Sequence, residues 1–183
     1  GVVEERLSPA GDVLEWRDFD YDRLGRMVAQ RHGGADVEAE SLHYAYERAD
    51  LPWTVTRLSR PSVLAGHEAV TRLTHDAQGR LLAVAETGFT PLGERLERVR
   101  RYTYDNAGRL LSEDGPLPNM ADGRGDITRY RYDAAGRLEQ LEGMGGLRLA
   151  VLARDALGHV TRLAQRNGSR REVLQLDYDA RGR

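Results

Sequence analysis

A short motif, an aromatic residue followed by Asp-x-x-Gly-Arg, recurs along the chain and constrains its fold more than any other feature. Copies or close variants begin at six positions: Tyr21, His75, Tyr104, Tyr132, Arg154 and Tyr178. From Gly79 onward the motif glycines lie 22 to 29 residues apart, and weaker copies occupy Ser8–Gly11 and Tyr46–Asp50. Repetition at such a period predicts an array of small structural units rather than one central core.

The residues around each motif have the pattern of paired β-strands. Large apolar or aromatic side chains recur three and one positions before the aspartate: Phe19/Tyr21, Tyr44/Tyr46, Leu73/His75, Tyr102/Tyr104, Tyr130/Tyr132 and Leu176/Tyr178. Residues two apart on a strand share a face, so each pair predicts an apolar stripe on one side. Apolar segments such as 81–85 and 160–164 follow the motif and predict return strands.

The Asp-x-x-Gly segment between the two strands predicts a tight turn. An aspartate at the first turn position can accept hydrogen bonds from backbone N–H groups two or three residues further on. Glycine at the fourth position tolerates positive φ, so we expect a type I turn closed by a left-handed glycine, as at Gly108 and Gly136. The sequence therefore predicts an all-β fold of antiparallel strand–turn–strand units, with a further hairpin at Asn167-Gly168.

Some segments fit this scheme less directly. Residues 35–48 and 93–104 have a helix-favouring composition, but both run into an aromatic stripe, so we expect at least their second halves to be strands. The Gly- and Pro-rich segment 115–126 predicts an irregular loop. No shift in composition marks a domain boundary, so a single array over residues 1–183 is expected. The final strand, Val173–Tyr178, is expected to leave an open edge that pairs with a second copy of the chain.

Composition and spacing argue against several functional classes. The net charge is −2, and all 27 basic residues are arginine, so the basic excess typical of nucleic-acid-binding proteins is missing. The sequence has no cysteine, its five histidines lack metal-ligand spacing, and no serine lies in a Gly-x-Ser-x-Gly elbow. We therefore expect no enzymatic activity, no catalytic residue, no cofactor and no metal. The motif aspartates are interpreted as turn acceptors rather than as catalytic acids.

Membrane and export signals are not expected from the sequence. No segment approaches the roughly 18 consecutive apolar residues that a membrane-spanning helix requires. The first residues, Gly1–Glu5, lack the basic and then apolar pattern of a signal peptide.

The unit Tyr-x-Tyr-Asp-x-x-Gly-Arg-Leu, at Tyr102–Leu110 and Tyr130–Leu138, resembles the repeat of the Rhs/YD-repeat family. The resemblance covers nearly all of the chain, and that family includes bacterial polymorphic toxins, many exported by type VI secretion, insecticidal toxin-complex subunits and animal teneurins. The repeat signature is carried by Tyr21, Asp22, Gly25, Arg26, Asp76, Gly79, Arg80, Tyr102, Tyr104, Asp105, Gly108, Arg109, Tyr130, Tyr132, Asp133, Gly136, Arg137, Asp155, Gly158, Tyr178, Asp179 and Gly182.

The resemblance implies a long spiralling β-sheet that closes into a hollow shell around a C-terminal toxin. The chain would be a non-enzymatic fragment of that shell, and its partners would be the remaining repeats and the toxin of the same polypeptide, with secretion-apparatus proteins. It would occupy the bacterial cytoplasm before export and then be secreted or delivered into target cells. The self-cleaving Asp-Pro segment of such shells is not carried over, because no Asp-Pro dipeptide occurs here.

A carbohydrate-binding module at a cell surface is the alternative interpretation. Exposed tyrosine rings could stack on the apolar faces of sugar rings. The regular spacing of the tyrosines also fits a structural ladder between strands. The sequence alone leaves both functions open.

Overall fold

The computed structural model describes residues 2–35, 37–117, 125–179 and 181, and their fold is all-β, as predicted. Fourteen antiparallel strands form one sheet in which each strand pairs with the next along the chain. The strands are β1 (Val2–Leu7), β2 (Val13–Tyr21), β3 (Met27–Gly34), β4 (Val37–Ala45), β5 (Arg57–Pro61), β6 (Glu68–His75), β7 (Leu81–Phe89), β8 (Arg95–Tyr104), β9 (Leu110–Asp114), β10 (Ile127–Tyr132), β11 (Leu138–Glu142), β12 (Arg148–Arg154), β13 (Val160–Asn167) and β14 (Arg170–Gln175).

Helical structure in the described residues is confined to a short 3-10 turn at Met144–Gly146. Within those residues, no helix has the length and apolar character needed to cross a membrane.

The chain divides into two compact units, Gly1–Val99 and Arg100–Arg183, and the division falls inside β8. Unit 1 contains β1 to β7 and the first half of β8. Unit 2 contains the second half of β8 and β9 to β14. A single array over residues 1–183 stays a prediction.

Both segments of helix-favouring composition form strands. β8 begins at Arg95, and β4 runs from Val37 to Ala45, so strand structure starts earlier than the predicted second halves. His43 of β4 pairs with Ala29 on one side and with Ser59 on the other. Hydrogen bonding to two neighbours satisfies the backbone polar groups of a central strand, which outweighs a small helix preference per residue.

Few side chains are buried, as expected for strands that leave both sheet faces accessible. Among the described residues, Ala29, at 5% exposure, has the one buried apolar side chain, and the side chains of Thr56 and Ser59 are buried as well. Stability therefore depends on contacts between neighbouring strands and turns more than on a central core.

Two predicted elements differ in the structure. Tyr46–Asp50 does not form a tight turn, and residues 46–56 instead make a long connection between β4 and β5, because this copy lacks the glycine that closes the turn. The final strand ends at Gln175 rather than at Tyr178. Beyond Gln175, its pairing with β13 continues through one backbone hydrogen bond, from Leu176 N–H to the Thr161 carbonyl.

The loop and hairpin predictions can be followed in the described residues. Residues 115–117 and 125–126 of the predicted loop lie outside strands, whereas residues 118–124 lie outside the described part of the chain. The hairpin at Asn167-Gly168 is confirmed, since β13 and β14 pair up to Asn167 and Arg170. Pairing of an open edge with a second copy stays a prediction.

Candidate functional site

The repeated turns bring most of the signature residues together. We use the term regular turn for the five-residue segments 22–26, 76–80, 105–109, 133–137 and 155–159, each of which joins an even-numbered strand to the next. In the turn at 105–109, Asp105 Oδ1 accepts the N–H groups of Ala107 at 2.9 Å and of Arg109 at 2.8 Å. Asp105 Oδ2 accepts the Arg109 Nε at 2.7 Å. One aspartate therefore organises both the backbone and the final arginine of its turn.

The hydrogen-bond pattern refines the sequence prediction. The acceptor was expected to bind N–H groups two or three residues on, but the observed donors are two and four residues on, as with Leu24 and Arg26 on Asp22. The difference arises because the residue three positions on is the glycine, whose N–H donates to the Asp22 carbonyl instead. The same pairing recurs at Asp76, Asp133 and Asp155.

Glycine at the fourth turn position is required by the backbone. Gly108 has a φ of 82° and Gly136 a φ of 80°, which confirms the left-handed conformation predicted for them. A side chain bearing a Cβ is disfavoured there because it approaches the following carbonyl oxygen. Gly25, Gly79 and Gly158 occupy the same region.

The turns hold their aspartates ionised. The Arg109 N–H is the main cause that lowers the pKa of Asp105 below its usual value, and the Arg137 N–H does the same for Asp133. Desolvation opposes both shifts, and the guanidinium groups add to them. At Asp22, Asp76 and Asp155, desolvation is the largest influence and raises the pKa, but the combined hydrogen bonds outweigh it and the net shift is downward.

Several of these turns are also tied to the repeat that follows them. Arg109 lies over the ring of Tyr132, with its guanidinium carbon 4.8 Å from the ring centroid, and the Tyr132 hydroxyl donates to the Leu110 carbonyl at 2.9 Å. Arg26 and Tyr46 repeat this arrangement at 4.5 Å. We call this pair of contacts the tyrosine link. In it, a tyrosine ring packs beneath the arginine of the preceding turn, and the tyrosine hydroxyl donates to the carbonyl of the residue that follows this arginine.

The hydroxyl bond of the tyrosine link recurs at Tyr46 and Tyr178 among the described residues. Tyr46 donates to the Met27 carbonyl at 2.8 Å, and Tyr178 donates to the Val160 carbonyl at 2.9 Å. In the last case His159 replaces the arginine, and its ring centroid lies 5.0 Å from that of Tyr178. Ring stacking and a hydroxyl bond thus join motifs that lie about one repeat apart in the chain.

The altered copy at 154–159 retains these functions with other residues. His159 Nδ1 lies 2.9 Å from Asp155 Oδ2, where an arginine nitrogen stands in the other turns. Arg154 occupies the tyrosine position and donates from Nη2 to the Leu138 carbonyl at 2.7 Å. Leu138 follows Arg137, so Arg154 contacts the same backbone position that a motif tyrosine contacts elsewhere.

The remaining signature residues lie at or beside these turns. Tyr102 and Tyr130 lie within β8 and β10, and burial raises the pKa of Tyr130. Tyr21 ends β2 with 46% of its surface exposed, and Asp179 accepts the Arg181 N–H at 2.9 Å. Tyr104 ends β8, and Arg80 binds Asp76 at 2.6 Å. Gly182 lies outside the described residues.

Sequence reasoning missed the residues that organise the 46–56 connection. Thr56, exposed by 7%, accepts the Glu47 N–H with its hydroxyl at 3.0 Å. Arg48 donates from Nη1 to the carbonyls of His75 at 2.6 Å and Asp76 at 3.1 Å, and it also pairs with Asp50. No local pattern could have revealed the Arg48 contacts, because their acceptors lie 27 and 28 residues further along the chain.

The contacts observed at the turns hold the backbone and the final side chain of each turn in place. The ionised aspartates are engaged by N–H groups and by Arg or His side chains, which suits them to holding a backbone and not to donating a proton. Within residues 2–35, 37–117, 125–179 and 181, no group of three or more His, Asp or Glu side chains is placed to hold a metal ion.

Comparisons with known proteins give no match by sequence and a distant match by structure. No family model matches, and no curated protein does. The Photorhabdus luminescens Tc holotoxin pore is 11% identical with a TM-score of 0.42, and 96% of this chain aligns to 12% of that one. TcdB2-TccC3 is 13% identical with a TM-score of 0.43 over 91% of this chain and 9% of that chain. The same protein without its hypervariable C-terminal region is 13% identical, also at 0.43, over 96% and 11%. The chain thus spans about a tenth of the length of these structures.

Proposed function

We propose that the chain is a structural segment of an Rhs-type shell wall, which encloses a C-terminal toxic domain of the same polypeptide until delivery. The observation that carries this proposal is the tyrosine link, in which motif residues connect one turn to the following repeat. Residues used in this way build a continuous wall and perform no reaction. The proposed segment is one array over residues 1–183.

The use of the signature residues supports a scaffold role. Asp105 and Gly108 shape a turn, Arg109 bridges that turn to the next repeat, and Tyr132 receives it. The motif at Tyr102–Leu110 and Tyr130–Leu138 matches the Rhs/YD-repeat unit almost fully. Each of these residues therefore has a structural purpose that accounts for its recurrence.

The proposed partners follow from the shell-wall role. The remaining repeats and the toxic domain would belong to the same polypeptide, and proteins of a secretion apparatus would engage the assembled shell. The protein would stay in the bacterial cytoplasm until export or delivery into a target cell. It would need neither a cofactor nor an enzymatic activity of its own.

The tyrosine link also bears on the carbohydrate-binding alternative. One face of Tyr46 lies beneath Arg26, and one face of Tyr132 lies beneath Arg109. A covered ring face cannot stack on a sugar, and the hydroxyls of both tyrosines are already bonded to backbone carbonyls. These contacts favour the structural ladder over a row of sugar-binding platforms.

Protease protection of the downstream domain tests the proposal in the parent polypeptide. The double variant Arg109→Ala/Tyr132→Ala removes one tyrosine link, and Arg131→Ala, at an exposed neighbouring position, serves as the control. We expect the downstream domain to resist proteinase K in the wild type and in Arg131→Ala, and to be cleaved faster in the double variant. Equal cleavage of all three would contradict the shell role.

Two further assays separate the alternatives. Catalytic turnover by the purified chain, lost in Asp105→Asn or Asp133→Asn, would show that the motif aspartates act as an enzyme site. Glycan-array binding that disappears in Tyr102→Ala or Tyr130→Ala, with an unchanged circular dichroism spectrum, would instead favour the carbohydrate-binding module.

A further inference from the structure

One face of unit 1 carries a cavity that the repeat motif does not account for. Its volume is about 600 Å³, and it extends over strands β3 to β8. The lining includes three leucines, two arginines and a glycine: Leu42, Leu58, Leu96, Arg60, Arg98 and Gly88. Cavities of roughly 300 to 1,000 Å³ with apolar walls and a few polar groups are typical of small-molecule sites.

Two small residues of the lining, Ala69 and Gly88, lie side by side in neighbouring strands. Arg60 of β5 pairs with Ala69 of β6, and extending the Val70–Thr87 register by one residue places Gly88 beside Ala69. A Cβ added to Gly88 would meet no atom within 4 Å, and Gly88 does not have positive φ. Glycine is therefore not required there by the backbone, and the missing side chain leaves open space.

Arg60 and Arg98 differ from the arginines around them. Arg57 pairs with Glu68 at 2.8 Å, and Arg95 pairs with Glu97 at 3.6 Å. By contrast, the side chains of Arg60 and Arg98 form no ion pair and no hydrogen bond with any residue of the described chain. The cavity is therefore lined by two guanidinium groups that have no counter-ion among the described residues. Their N–H groups can donate hydrogen bonds to a carboxylate, sulfonate or phosphate group.

The acidic groups of the cavity set the position of such an anion. Glu40 lies 3.7 Å from His32, at the β3–β4 side. Glu86 pairs in register with Thr71, two residues along β7 from Gly88. A bound anion would be repelled by both carboxylates, so its favourable place is the row of Arg60, Ala69 and Gly88. Leu58 lies two residues along β5 from Arg60, where it can contact an apolar group of the same ligand.

We propose that this cavity binds an organic anion with an apolar body. The acidic group lies over Ala69 and Gly88 and is bound by Arg60 and Arg98. The apolar body packs on Leu42 and Leu58, where it removes exposed leucine surface from water. The evidence for this site does not rest on the proposed shell function.

Fluorescence titration with 1-anilinonaphthalene-8-sulfonate tests the site, because this probe combines an aromatic body with one sulfonate. We expect saturable binding at one site per chain. N-phenyl-1-naphthylamine, which lacks the sulfonate, should bind about tenfold more weakly, the ratio expected for the loss of a charged hydrogen bond. Equal affinity for the two probes would overturn the proposal.

Four variants locate the binding. Arg60→Ala/Arg98→Ala should weaken the sulfonate probe at least about tenfold, and Gly88→Phe should abolish binding by filling the space without changing charge. Glu86→Gln should strengthen binding by removing a like charge. Arg57→Ala/Arg72→Ala is the matched control, since these two arginines face each other in the β5–β6 register on the opposite side of the sheet. Loss of binding in this control alone would overturn the site.

A measurement on the wild-type chain avoids dependence on folded variants. Amide chemical shifts should move at Ala69, Gly88 and their neighbours during titration with the sulfonate probe. Shifts confined to residues outside the cavity would overturn the proposal, whatever the variants show.

Discussion

The regular turn at 105–109 and the connection at 46–56 occupy equivalent places in the sheet, but different contacts hold them in shape. Each joins an even-numbered strand to the next one in the sheet. The first has five residues, and its aspartate, Asp105, accepts the backbone N–H groups of the residues two and four positions further on. The second replaces the aspartate with Thr56, and its Arg48 reaches carbonyls 27 and 28 residues away.

The difference shows that the tyrosine link does not depend on a regular turn at its own motif. Tyr46 keeps both halves of the link to Arg26 and Met27 although the segment after it has lost the turn. Arg26 also donates to the Pro52 carbonyl, so the connection packs against the preceding turn as well. Turn shape and repeat-to-repeat attachment are therefore separate properties of the motif.

The largest expected loss of stability comes from replacing the positive-φ glycine of a regular turn, which the connection at 46–56 lacks. Gly108→Val should lower the free energy of unfolding by about 2 kcal/mol, because valine is strained at positive φ. Gly25→Val should show a similar loss, and there an added Cβ meets no atom within 4 Å, which isolates the backbone effect. Urea denaturation measures both.

The control for these variants is Gly88→Val, since Gly88 lies in β7 without positive φ. It should leave stability unchanged or increased. A Gly108→Val protein as stable as the wild type would contradict the turn geometry.

The next effect should come from the arginine specific to the long connection. Arg48→Ala removes the bonds to the His75 and Asp76 carbonyls and should cost about 1.5 kcal/mol, as for hydrogen bonds that involve a charged group. Arg23→Ala, at an exposed position of a regular turn, should change stability by less than about 0.5 kcal/mol. Equal losses in thermal unfolding would show that the long-range contacts of Arg48 contribute nothing.

The tyrosine hydroxyl bond is common to both regions, so its removal should lower the free energy of unfolding by a smaller amount that is the same in each. Tyr46→Phe and Tyr132→Phe each remove a hydroxyl bond to a backbone carbonyl and should cost about 1 kcal/mol. Tyr21→Phe is the matched control, because the Tyr21 hydroxyl has no hydrogen-bond partner in the described chain. Urea titrations in which only one of the first two variants is destabilised would separate the links that we treat as equivalent.

Acid should weaken the regular turns. The pKa of Asp105 is lowered in the folded chain, so its carboxylate stabilises the fold above the unfolded aspartate pKa of about 3.9 and loses that contribution as pH falls below it. Urea midpoints measured from pH 5 to pH 2.5 should fall. The fall should be smaller in Asp105→Asn, which no longer has this carboxylate to protonate, and an unchanged slope would contradict the assignment.

The smallest effect distinguishes the causes of two lowered pKa values. The Arg48 side chain is the main cause that lowers the pKa of Asp50, whereas the Arg109 backbone N–H is the main cause at Asp105. In carboxyl NMR titrations, Arg48→Ala should therefore return Asp50 towards its usual pKa. Arg109→Ala should keep the pKa of Asp105 below its usual value, because alanine retains the N–H that is the main cause of the lowering.

Local patterns made most of the fold predictable. The strand pairs, the return strands and the conformation of Gly108 follow from spacing and turn chemistry, which act within a few residues. The role of Arg109 beyond its own turn did not follow, because its second partner, Tyr132, lies in the next repeat. Nor could the cavity be foreseen, since Arg60 and Gly88 are brought to one face only by strand register.

The direction of the tyrosine link has a consequence for biosynthesis. The hydroxyl of Tyr132 closes on a turn that lies 22 residues earlier, so the ribosome must add those residues before the contact can form. At roughly 5 to 20 residues per second this delay is about one to four seconds, whereas a hairpin forms in roughly 1 to 10 μs. Each tyrosine link can therefore form only after the following motif has been synthesised, so the links are completed in order from the N-terminal end during translation.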